Sequence, residues 1–269
     1  MKFPILAAIL IAACVSACLG QTTDASPEFS SGVQLYQAHN YHDAVKQLKK
    51  AVKKSKDNAD AWYYLGLALL KDPKSLKDGS KALETANALH LNWAPGLTAF
   101  AYALLLRNNL EDAKRKAEEA LRLDDKNVEA LYVVGVVHVR KGERDAGLKA
   151  AQAAIDLDPQ FAPAHLLKSQ ALVTFSRDVL IADPAASPDD RKAVWAEAAE
   201  SLETYLRLAP NTVDKEAWQS QLEGLRFFSR RSTPGDPEFV YSGKDVTTKA
   251  RVLAKPEPSY TEPARSNGI

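Results

Sequence analysis

From about residue 25 to residue 228, apolar residues recur every three to four positions in short runs separated by polar breaks. That spacing predicts a succession of amphipathic helices. The stretch "FSSGVQLYQAHNYHDAVKQLKKAVKKSKD" sets the pattern: an apolar series, a polar turn around His39 and Asn40, then a second apolar series within a Lys-rich helix. The pattern returns in "AWYYLGLALL", "LTAFAYALLLRNNLEDAKRKAEEALRLDD", "LYVVGVVHVRKGERDAGLKAAQAAIDLDP" and "HLLKSQALV". The units begin near residues 25, 59, 94, 128 and 162, so three spacings are 34 residues and one is 35. A fixed period of this length predicts stacked helical hairpins, each too small to bury its own apolar face.

Particular residue types hold fixed places in the period. The first unit carries Gly32, Ala44, Leu48 and Ala51, and the second Trp62, Leu65 and Gly66. The third carries Ala101, Ala113, Ala117 and Ala120, and the fourth Gly135, Gly147, Ala151, Ala154 and Pro159. Gly and Ala at a helix crossing let two backbones approach closely, while larger residues fill the space between hairpins. Asp158-Pro159 stops one helix before the next unit starts. In period and in these positions the chain resembles the tetratricopeptide repeat (TPR). The resemblance implies an all-α fold, a TPR-type α-solenoid of about five hairpins spanning residues 25–229.

The fifth unit departs from the period. Its second helix, "AVWAEAAESLETYLRLAP", lies about seventeen residues late. Asp183-Pro184 breaks the preceding helix, and Ser187-Pro188-Asp189-Asp190 supplies a Ser cap and a first-turn proline. An elongated hairpin is therefore expected. The amphipathic "DKEAWQSQLEGLRFF" then predicts one further helix capping the open end of the stack.

Before the repeats, Met1-Lys2 and the apolar run "FPILAAILIAACVSACLG" form an export segment over residues 1–20, too short for a comfortable membrane span. Val15-Ser16-Ala17-Cys18 resembles the bacterial lipobox, which implies lipidation of Cys18; Ile11-Ala12-Ala13-Cys14 fits the same pattern with a shorter apolar core. Ordinary signal-peptidase cleavage near Ala17 or Gly20 is the alternative. Either route places the protein outside the cytoplasm, in the periplasm or as a membrane-anchored lipoprotein of the envelope.

Composition narrows the function classes. Lys+Arg 35 against Asp+Glu 34 gives a formal net charge of +1, which supplies no field for holding a polyphosphate, so nucleic acid is not an expected partner. The two cysteines, Cys14 and Cys18, both lie in the leader, leaving the remainder without a disulfide or thiolate metal site. No phosphate-cradling glycine loop or nucleophile elbow occurs, and no enzyme activity, cofactor or metal is expected. His39 and His42 are read as turn residues, and His90, His138 and His165 as single packing or solvated residues. The run "KQLKKAVKKSK" fits a solvated helix face, with attraction to anionic headgroups as the alternative.

The TPR resemblance also implies a binding groove, since the first helix of each hairpin lines the concave surface in that family. Carried onto this chain, the inward positions are Phe29 and Val33, Tyr63 and Leu67, Thr98, Tyr102 and Leu105, Tyr132 and Val136, then Leu166 and Gln170. They lack the Lys, Arg and Asn that family members use to grip a terminal carboxylate. An aromatic-aliphatic groove of Phe29, Tyr63, Leu67, Tyr102, Leu105, Tyr132 and Val136 suits an apolar segment or helix of a protein partner. Packing between neighbouring helices is the alternative use of the same side chains.

After Phe228 the composition turns to Pro, Gly, Ser and Thr, and residues 230–248 are expected to be a linker. Beyond it, "KARVLAK" alternates like a short strand and "SYTEPARSNG" has the makings of a short helical turn. Pro258, Tyr260, Ala264, Arg265 and Gly268 resemble the opening of the TonB C-terminal domain, so residues 249–269 read as a truncated start of that domain. The resemblance implies contact with an outer-membrane receptor where the complete domain follows. Two functions are therefore expected: an exported TPR scaffold joining envelope proteins, or a TonB-like energy-coupling or transport adaptor.

Overall fold

The computed structural model describes residues 26–182 and 188–230, and among them every regular element is helical. The chain forms five hairpins: α1 (Pro27–Gln37) with α2 (Tyr41–Lys54), α3 (Ala59–Leu69) with α4 (Leu76–Leu89), and α5 (Ala94–Leu106) with α6 (Leu110–Leu123). These are followed by α7 (Val128–Arg140) with α8 (Arg144–Leu157), then α9 (Ala162–Ala182) with α10 (Pro188–Leu208). A last helix, α11 (Lys215–Arg230), occupies the stretch expected to cap the stack. The expected elongation of the fifth hairpin takes the form of two 21-residue helices. The leader with Cys18, the linker beyond Arg230 and the TonB-like residues Pro258, Tyr260, Ala264, Arg265 and Gly268 lie outside the described residues.

Local signals place the helix ends. The side chains of Ser26, Asn40, Asn58 and Asn127 each accept a hydrogen bond from the amide three residues on, satisfying one of the donors that a helix start leaves open. Three hairpin turns close alike. His39, Asn108 and Gly142 adopt positive φ values of 61°, 59° and 79°. The following amides, of Asn40, Asn109 and Glu143, reach back to the carbonyls of Leu35, Leu104 and His138 at 2.9 Å. This is the left-handed cap that satisfies terminal carbonyls. The second hairpin differs. Asp72 caps a short 3₁₀ turn (Pro73–Ser75), which lengthens the connection between α3 and α4.

Each of α3, α5, α7 and α9 is enclosed between the second helix of its own hairpin and that of the preceding one. The small residues make this possible. A Cβ on Gly66 would lie 2.5 Å from Leu83 Cγ and 3.1 Å from the Gly79 carbonyl, while Ala44, Ala101, Ala113, Ala117, Ala120, Ala151 and Ala154 are fully buried. Leu48, Leu83, Leu167 and Leu202 fill the core between them. Polar ties reinforce the packing: Ser169 Oγ donates to the Ala198 carbonyl at 2.9 Å inside the last hairpin, and Arg140 Nη1 donates to the Leu105 carbonyl at 3.1 Å across two. At the end of the stack, Trp218, Leu222 and Leu225 of α11 close over Ala198, Leu202 and Tyr205 of α10.

Candidate protein-binding surface

The structure divides the expected groove residues into two kinds. Leu67 and Leu105, 6% and 2% exposed, lie inside the packed layer, so these two positions serve cohesion and are corrected from groove lining to core. Thr98 and Leu166 are buried as well, and the Thr98 hydroxyl donates back to the Ala94 carbonyl at 2.9 Å. The physical reason is enclosure: a helix contacted on two sides keeps only a narrow strip accessible, and an apolar residue one position off that strip is covered.

Tyr63, Tyr102 and Tyr132 stay half-buried, one on each of α3, α5 and α7. Consecutive members share a packed base. Tyr63 and Tyr102 both rest on the cluster of Leu67, Leu70, Leu83, Ala99 and Ala103, and Tyr102 and Tyr132 both rest on the cluster around Val133. Phe29 and Val136 pack at the flanks of such clusters. Burial pushes all three phenols up: Tyr63 and Tyr102 well above the ordinary range, and Tyr132 to about 12 with Arg140 opposing. None of the three hydroxyls has a hydrogen-bond partner among the described residues, and none is among the fully sealed polar atoms. The row therefore offers aromatic area with free polar tips, the combination that favours Tyr at interfaces.

Other features were not expected from the sequence. Tyr36, Tyr64 and Trp93 extend the aromatic surface. Tyr64 lies edge-on to Phe29 (6.1 Å) and Tyr36 (5.8 Å), and Tyr63 is 4.7 Å from Trp93, on which His90 stacks. These residues lie off the inward positions of the repeat, so the period alone gives no sign of them. Arg140 acts electrostatically on both Tyr102 and Tyr132, but its bond to the Leu105 carbonyl ties it to the end of α5.

Three of the five histidines have local hydrogen-bond partners. His39 pairs with the Tyr41 hydroxyl at 2.8 Å, His138 with Glu143, and His165 with the Pro159 carbonyl at 3.0 Å. Among the described residues no three His, Cys, Asp or Glu side chains converge to hold a metal ion, and no helix is long and apolar enough to cross a membrane. The Lys run lies exposed on α2, where Lys46 pairs with Asp43 and Lys54 with Glu28.

Comparison with known proteins accords with the architecture. Profiles for the TPR repeat and the tetratricopeptide repeat match residues 32–72 and 98–162. Among solved structures, a thermophilic TPR protein of Thermus thermophilus is similar at 19% identity and a TM-score of 0.58, over 73% of this chain and 97% of its own. MamA AMB-1 is similar at 17% identity and a TM-score of 0.54, over 66% and 99% of the two chains. MamA of Desulfovibrio magneticus RS-1 is similar at 18% identity and a TM-score of 0.53, over 66% and 92%. A search of curated proteins returned no match. The period, the hairpins, the small residues at the helix crossings and these likenesses together identify the fold as an α-solenoid of tetratricopeptide repeats.

Proposed function

We propose that this chain is an exported scaffold that joins proteins in the bacterial cell envelope and has no chemistry of its own. The observation that carries the binding role is the row of Tyr63, Tyr102 and Tyr132, whose unpartnered hydroxyls stand over a shared apolar base. Its partner is an apolar segment or helix of another protein that also presents polar groups to the three hydroxyls. Export rests on the apolar leader, and anchoring on the Cys18 lipobox; a Cys18→Ser variant that still partitions with membranes on its own overturns the anchor.

Truncating all three tyrosines to Ala would also remove core contacts, so the informative variant is Tyr63→Phe/Tyr102→Phe/Tyr132→Phe. It preserves packing and deletes three hydrogen bonds of about 0.5–1.5 kcal/mol each, enough to lower partner capture at least about tenfold. Crosslinking of intact envelopes followed by mass spectrometry identifies the partner in the unaltered protein and measures its loss in the variant. Undiminished capture at unchanged helical content overturns the tyrosine row as the binding surface. The TonB-like residues Pro258, Tyr260, Ala264, Arg265 and Gly268 support a second reading, an energy-coupling adaptor that engages an outer-membrane receptor. That reading requires a transport phenotype that depends on the proton-motive force.

A further inference from the structure

A pocket of about 520 Å³, lined by none of Tyr63, Tyr102 and Tyr132, lies between the start of α2 and the connection that leaves α3. Lys46 and Lys49 reach it from α2, and Lys71 comes to it from the following hairpin. The ammonium of Lys71 lies 5.4 Å from the centre of the Tyr41 ring, and the residue is half-buried. No carboxylate pairs with it among the described residues.

Asp72 is the acid lining the pocket, and both of its oxygens are committed: one accepts from the Lys74 amide at 3.0 Å and the other from the Ser75 hydroxyl at 3.1 Å. Lys46 meets Asp43 at 3.1 Å, but its side chain is 60% exposed, so that pair is cheap to exchange. Lys49 has no partner among the described residues. Burial holds the Lys71 ammonium below the ordinary lysine range, and the Tyr41 ring rather than an anion faces it, in a place solvent only partly reaches. Val45, Ala68 and Leu69 give the same pocket an apolar floor.

We propose that this pocket binds a phosphate ester, with the phosphate among Lys46, Lys49 and Lys71 and the organic body over the Val45, Ala68 and Leu69 floor. Three compact ammonium groups on flexible stems suit a tetrahedral oxyanion, whereas no guanidinium fork lines the pocket for planar carboxylate recognition. The volume is in the range of small-ligand sites and larger than a bare phosphate fills. The ester can come from a soluble metabolite or from the headgroup of an anionic phospholipid.

Titration calorimetry on the full chain with sn-glycerol 3-phosphate, with glycerol as control, tests the site. Saturable binding of the phosphate ester alone is expected, and Lys71→Met should weaken it about tenfold by removing one charge-assisted contact while keeping the apolar stem. Lys53→Met, in the same Lys run but outside the pocket, should leave it unchanged. Co-sedimentation with phosphatidylcholine vesicles, with and without phosphatidylglycerol, separates the sources. Lys71-dependent binding to the mixed vesicles, competed by glycerol 3-phosphate, assigns the headgroup; binding of the soluble ester alone assigns the metabolite. Absence of saturable binding in both arms, or equal weakening by Lys53→Met and Lys71→Met, overturns the proposal.

Discussion

At Gly66 an added Cβ would meet Leu83 Cγ at 2.5 Å, with the Gly79 carbonyl behind it at 3.1 Å, so neither helix can yield cheaply. Gly66→Ala should therefore destabilise the protein by about 1–3 kcal/mol, the cost of overpacking a filled core. Gly224 of α11 is the converse. Nothing lies within 4 Å of its added Cβ, and Gly224→Ala should stabilise by about 0.5–1 kcal/mol through helix propensity. Urea unfolding of the two variants checks both signs. Tyr132 adds a pH prediction. Burial raises its folded-state pKa to about 12, above the value of about 10 for an unperturbed phenol, so the native state retains a proton that the unfolded chain has released. Its contribution to stability is fully present below pH ~10 and is lost as pH rises towards 12. Tyr36, also raised to about 12 by burial, acts in the same direction. The unfolding midpoint should fall through that window, and the fall should be shallower in Tyr132→Phe.

Single elements depend on their caps to different extents. Asn127, 9% exposed, accepts from the Ala130 amide at 2.9 Å at the start of α7. Asn127→Ala leaves that amide unpaired in the interior and should cost about 1–2 kcal/mol. Asn109 stands at the corresponding place before α6 but makes no capping bond to the backbone; its amide group instead donates to Asp112 at 2.8 Å on the surface. Asn109→Ala should cost at most a few tenths of a kcal/mol by comparison, roughly what an exposed helix-surface pair contributes. Thermal unfolding of the pair shows whether the cap or merely the residue type matters. Asn stands before both helices, so residue type alone did not make the start of a helix readable as a capped one. The 3₁₀ turn at Pro73–Ser75 was not readable either, since it arises where the second repeat lengthens its connection.

Stability across the stack should be regional, because each hairpin contacts its neighbours in the chain and not the far end. Trp218 shows the consequence. It is 6% exposed, lies edge-on to Tyr205 at 6.3 Å, and helps cover α10, while the Tyr205 hydroxyl pairs with Thr212 at 2.8 Å beneath it. Trp218→Ala should cost about 3–5 kcal/mol, as expected for emptying a large buried aromatic site. The loss should appear in hydrogen exchange as early opening of α9–α11, with protection in α1–α4 retained. Uniform loss of protection would instead mean that the repeats unfold as one unit.

Sequence alone determined the hairpins and the enclosed small residues through its repeat, and the helix that closes the stack through the amphipathic pattern of residues 214–228. Those follow from apolar spacing, glycine, proline and capping residues, all of which act within a few positions. Only the tertiary structure decided which first-helix residues remain accessible. Leu67 and Leu105 looked the same as Tyr63 and Tyr102 in the repeat register, yet enclosure by two neighbouring helices buries the first pair and leaves the second half-exposed. The same holds for the lysines. The run on α2 read as a solvated face, and nothing local marks Lys71 as its companion; packing of the second hairpin on the first makes Lys71 line the same pocket as Lys46 and Lys49. Surfaces assembled from two repeats depend on helix packing, and a pattern read along one chain segment carries no information about its neighbour across the crossing.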